Sequence, residues 1–108
     1  LRYYYGQDVY INAAEQINGI PYSWPGTNLD IGSSGQKVRQ LQEQLNLIGE
    51  YYSSIPVLST DGIYGEQTAV AVKEFQRIFN LPQSGITDFP TWFTVSEKYV
   101  ALAGLAEL

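Results

Sequence analysis

One short turn, written three times along the chain, limits what this sequence can fold into. Gly32-Ser33-Ser34-Gly35 precedes Gln36-Lys37-Val38, Gly62-Ile63-Tyr64-Gly65 precedes Glu66-Gln67-Thr68, and Gly85-Ile86-Thr87-Asp88 precedes Phe89-Pro90-Thr91. Each G-x-x-[GD] turn opens an amphipathic stretch. Val38, Leu41, Leu45 and Ile48 fall at i, i+3, i+7 and i+10; Thr68, Val72, Phe75 and Phe79 follow a similar stripe, and so do Trp92, Val95, Tyr99 and Leu102. Three turn-plus-helix units predict an all-α fold, a small three-helix bundle. A length of 108 residues fits one domain that can bury a core without disulfide or metal staples.

The fourth position of each turn falls where a helix N-cap is expected. Gly and Asp are both accepted there, and the Asp88 carboxylate can take up an orphan amide N–H. Ser33 followed by Gln36 reads as a capping box, and Pro90 in a first helical turn gives up no hydrogen bond. Gly32, Gly62 and Gly85 supply positive φ where the chain reverses into each helix. Phe75, Phe79 and Trp92 lie on the stripes and are expected in the core. Residues 1–31 have no sustained period: Val9, Ile11 and Ala13 alternate as a strand would, while Ile11, Ala14 and Asn18 would suit a brief helix. The run from Pro21 to Gly26 reads as turn and extended chain. These residues are expected to form an irregular N-terminal arm lying across a domain made of residues 32–108. The apolar tail from Tyr99 to Leu108 is expected to pack on that arm or on a partner. A first residue of Leu1 rather than Met points to a piece of a longer chain.

Composition excludes most chemistry. The chain has no His, Cys or Met, so it holds no Ser-His-Asp triad, no thiolate nucleophile, no imidazole or thiolate zinc site and no disulfide. No cofactor or metal is expected. The net charge of −5, with six scattered basic residues, argues against nucleic acid and anionic membrane as partners. No apolar run approaches membrane-spanning length. Nine Tyr on a weakly charged chain suit neutral or zwitterionic ligands better than polyanions.

Read in order, the run from Gly32 to Leu45, then Asp61-Gly62-Ile63-Tyr64-Gly65-Glu66-Gln67-Thr68, Ala71-Val72-Lys73-Glu74-Phe75-Gln76, Leu81-Pro82, Gly85 and Thr91-Trp92 resemble the peptidoglycan-binding domain family. Members are small three-helix modules appended to bacterial cell-wall hydrolases. The likeness covers residues 32 to about 100. Ile20-Pro21, Trp24-Pro25-Gly26 and the tail also look like flanks of members from spore-forming bacteria. One departure stands out: the family's second D-G-x-x-G is here Ser84-Gly85-Ile86-Thr87-Asp88, which keeps the capping logic and lacks an acidic side chain at Ser84.

The resemblance implies a non-catalytic module that binds peptidoglycan, through its glycan strand or its stem peptide, and holds an attached enzyme on the wall. The expected contacts are Asp61, Gly62, Tyr64, Gly65 and Thr68 around the second turn, with Arg39 and Gln40 from the first helix. Unpaired N–H groups at the helix starts would receive stem-peptide carboxylates. Each residue also has a structural reading. Asp61 can hold the turn as an Asx residue, Tyr64 can stack on a sugar or pack inward, and Arg39 can pair with an acid of its own chain. Gln40, Gln42, Gln44 and Gln76 suit peptide and acetamido groups, or simply a solvated helix face. Asp61 and Glu66 form the one carboxylate pair that glycoside hydrolysis would need, but nothing around them marks a buried acid. Exposed Tyr in Tyr3-Tyr4-Tyr5 and Tyr51-Tyr52 would serve sugar stacking or contact with another domain. The competing function is an interaction or spacer module with the same fold and no wall affinity. Either places the chain outside the cell, in the wall or spore envelope of a bacterium.

Overall fold

The computed structural model describes residues 24–107. Most of the arm, including Tyr3-Tyr4-Tyr5, lies outside the described residues. Three helices follow in order, α1 (Gln36–Gly49), α2 (Glu66–Ile78) and α3 (Phe89–Glu107). α1 packs on both of the others, more extensively on α3. The stripes close the core as their spacing predicts: Val38, Leu41, Leu45 and Ile48 of α1, Val72 and Phe75 of α2, and Trp92 and Val95 of α3 are all buried. Phe79, Tyr99 and Leu102 are only half-buried and pack on the edge of that core.

The helices start where the turns end. Gly35, Gly65 and Asp88 stand at the three N-caps, and their carbonyls accept the first helical bonds from the amides of Arg39, Ala69 and Trp92. Asp88 also caps with its side chain, Oδ1 accepting from Thr91 N at 3.1 Å. The capping box expected of Ser33 and Gln36 does not form. Ser33 Oγ instead accepts from Asp30 N, and α1 has no side-chain cap. The reason is that the first turn is held from outside. Gly32 N donates to Tyr64 O, Tyr64 N to Ser33 O and Gly35 N to Gly62 O, so turn one is laced to turn two by backbone bonds of 2.9–3.0 Å. Leu29 and Thr87 exchange a second such pair, which brings turn three to the same end of the bundle.

Two glutamines fix the remaining turns. Gln42 is fully buried; its Oε1 accepts from Gly62 N (2.9 Å), while Nε2 donates to Ile63 O (2.9 Å) and Thr68 Oγ1 (3.1 Å), with Asp61 Oδ1 at 3.3 Å. Gln76 repeats the arrangement on turn three, accepting from Gly85 N (2.9 Å) and donating to Ile86 O and Thr91 Oγ1 (3.0 Å each), with Ser84 Oγ at 3.4 Å. Each amide thus spends its two hydrogens and its oxygen on one turn. These two side chains belong to the interior, so the solvated-face reading fails for both, and for the buried Gln44. The repeat is therefore one of clamps as well as of turns: Asp61 to Thr68 plays residue by residue the part of Ser84 to Thr91.

Candidate ligand-binding groove

The second unit differs from the third in what precedes its turn. After α1 the chain makes a loop over residues 50–60, pinned by buried Ile55 and Leu58. Asn46 holds Leu58 from both sides, Oδ1 accepting from Leu58 N at 2.8 Å and Nδ2 donating to Leu58 O at 2.9 Å. Ser54 Oγ donates to Glu74 Oε2 on α2, a carboxylate that also pairs with Arg77. The hydrogen bonds from Arg77, and after them the one from Ser54, hold the Glu74 carboxyl at a pKa of about 2, well below the usual carboxylate range.

So anchored, the loop stands beside the start of α2 and an open groove runs between them. One half, about 240 Å³, is lined by Leu58, Ser59, Asp61, Ile63, Gly65, Glu66, Gln67 and Thr68 with Gln42 at its floor. The other, of similar volume, lies between Pro56, Val57 and Val70, and shares Glu66 and Gln67 as a wall. Each half is smaller than the roughly 300–1,000 Å³ of enclosed small-molecule sites, a size suited to side chains or single substituents of a polymer. Val57 (85% exposed), Ile63 (59%) and Val70 (54%) give it apolar surface open to solvent. Gly65 lines the groove and gives the first-turn amides of α2 no capping side chain.

Of the residues expected at a site, Asp61, Gly65 and Thr68 line this groove. Asp61 Oδ1 also accepts from Ile63 N at 3.0 Å, which is the Asx-turn role. Thr68 is buried and its hydroxyl is engaged by Gln42. Gly62 is buried behind the turn with φ 77°, and a Cβ there would meet Gly35 O at 3.1 Å. Its place is structural. Tyr64 requires a correction. Its ring is 1% exposed, and its hydroxyl donates to Gly85 O at 2.7 Å and lies 3.0 Å from Thr87 Oγ1. No ring face is left for a sugar; the side chain bolts turn two to turn three, and burial pushes its pKa up to about 12. Arg39 is paired with Glu43 at 3.3 Å, and neither it nor half-buried Gln40 lines the groove. Trp92 is core. Tyr51 and Tyr52 are exposed beyond the end of α1, Tyr52 edge-on to Phe79, and likewise outside the lining.

Sequence reasoning missed Pro56, Val57, Ile63, Gln67 and Val70. A signal was present for Val70, an apolar residue off the α2 stripe; for the loop residues Pro56 and Val57 there was none, since contacts distant in sequence, the Asn46 clamp, buried Ile55 and the Ser54–Glu74 bond, turn them toward the helix.

A small all-α module built of clamped turn-and-helix units, with an open groove beside the second of them, is the class of protein these features define. The family model "Putative peptidoglycan binding domain" matches residues 34–93, and the chain belongs to that family. The chain is 42% identical over 65 residues to the zinc D-Ala-D-Ala carboxypeptidase of Streptomyces albus G, a match spanning 60% of this chain but only 24% of the carboxypeptidase. Its fold is similar to the crystal structure of the SleB N-terminal domain, with a TM-score of 0.61 and 26% identity over 70% of this chain and 97% of that one.

Proposed function

We propose that this chain is the wall-anchoring part of a larger bacterial protein, doing no catalysis itself and keeping an attached enzyme or wall protein on peptidoglycan outside the cell. The observation that carries this reading is the groove between the 50–60 loop and the start of α2. It combines hydrogen-bonding groups (Asp61, Gln67 and the uncapped amides of α2) with the apolar surface of Val57, Ile63 and Val70. Such a mixture suits a neutral or zwitterionic polymer of amide and acetamido groups. Asp61 and Glu66 do not read as a hydrolytic pair, because both are exposed on the same open surface and Asp61 is already used in its turn. The test is retention of the folded chain on purified insoluble peptidoglycan, with Val57→Asp as the impaired variant. Val57 touches little, so the variant should keep its helical circular dichroism and lose retention. A folded wild-type chain that washes through would refute the proposal.

A further inference from the structure

The internal repeat allows the groove to be compared with its own counterpart. Glu66, Gln67 and Val70 of α2 correspond to Phe89, Pro90 and Phe93 of α3. On α3 the first of these is covered by the chain itself: the Trp24 ring lies edge-on to Phe89 at 5.3 Å and to Trp92 at 6.1 Å, while Phe93, 6.1 Å from Phe89, and Pro90 stay exposed. The backbone then runs on to exchange hydrogen bonds with Thr87 through Leu29. One copy of the repeat therefore seats a peptide segment at the start of its helix. In the other copy the backbone position is taken by Gly32 and Ser33, which bond to Tyr64, and no indole follows them; the start of the helix borders the open groove, where Glu66 replaces Phe89 and Val57 and Pro56 form the facing wall.

That replacement changes what fits. An aromatic seat for an indole has become a seat with aliphatic walls and a carboxylate, and Asp61 lines the adjoining half. Among the described residues, no Lys or Arg lines either half. Nor, among those residues, does an aromatic ring line it: Tyr64 and Trp92 are buried, and no described ring offers the stacking platform a glycan strand would use. Resting on the wall-binding reading above, we infer that the groove takes the stem peptide of peptidoglycan rather than its glycan. A short alkyl side chain lies against Val57 and Val70, and the side-chain ammonium of the diamino residue faces Glu66, with Asp61 beyond. Complementary charge sets the direction of the peptide, while the alkyl contact supplies most of its affinity.

Calorimetric titration of the folded chain with a synthetic stem pentapeptide tests this. The peptide carries lysine as its diamino residue, free or Nε-acetylated, and a peptide-free disaccharide of the glycan serves as control, beside retention on insoluble peptidoglycan. The free-amine peptide should bind about two- to fivefold more tightly than the acetylated one, the range of an exposed ion pair. Glu66→Gln should erase that difference without weakening the acetylated peptide. Val57→Ser should weaken both peptides alike. If retention on the wall persists while the peptides fail to bind, or bind with no regard to acetylation or to Glu66→Gln, the inference is overturned and wall binding stands. If retention also fails, both fall.

Discussion

Gln42 and Gln76 show how much a single side chain holds in this protein. Each satisfies a buried glycine amide, a turn carbonyl and a helix-start threonine at once. Truncation would leave those groups buried without partners, at about 1–3 kcal/mol for each one that water cannot reach. Gln42→Ala is therefore expected to destabilise by about 2–4 kcal/mol in urea unfolding, far more than an exposed amide such as Gln67→Ala. The sequence offered a hint in the parallel pairs Leu41-Gln42 and Phe75-Gln76, but burial of an amide depends on acceptors brought from a distant turn. Tyr64 makes a separate prediction. Its folded-state pKa, about 12, lies above the ordinary 10.0, so the unfolded chain loses the phenol proton first. The stability this group contributes is complete below about pH 10 and is lost as pH rises toward about 12. Tyr64→Phe should flatten that alkaline loss, followed by circular dichroism, while lowering stability at neutral pH because Gly85 O loses its donor.

At the scale of elements, the periodicity of the three stripes was enough to place the three helices of the described residues, because an amphipathic face must find a core whatever its neighbours are. The caps were legible in part. Asp88 closes α3 with its own carboxylate, whereas Gly65 leaves α2 uncapped in extended backbone (φ −112°) that any residue adopts. Exchanging the two conditions makes a paired prediction. Asp88→Ala should cost about 1 kcal/mol, and Gly65→Ser should gain about 0.5 kcal/mol, in thermal or urea unfolding. Ser at Gly65 should also weaken wall retention, since its hydroxyl would take up helix-start amides that the proposed ligand would use. Ser33 shows the opposite outcome: its sequence context fits a cap, yet the lacing of turn one to turn two leaves its hydroxyl to Asp30. The loop of residues 50–60 had no readable period, and its course is set by Asn46, Ile55 and the bond from Ser54 to Glu74.

For the whole molecule, a charge of −5 and a groove that no Lys or Arg of the described residues lines make attraction to anionic wall polymers a minor force. Retention on insoluble peptidoglycan should accordingly change little between low and physiological salt, and a steep fall with salt would point to a polyanion as the true ligand. The absence of His, Cys and Met, the three turns and the three stripes determined by themselves the all-α class, the helix starts and the exclusion of most catalytic chemistry. All of these are local or compositional properties. The tertiary structure alone decided between the two readings of Tyr64, which bolts two turns together and offers no platform to a sugar, that two glutamines are interior clamps, and that an open groove lies between α2 and the loop before it. Those outcomes depend on which residues distant in sequence arrive side by side, and a pattern along one segment carries no record of what will cover it.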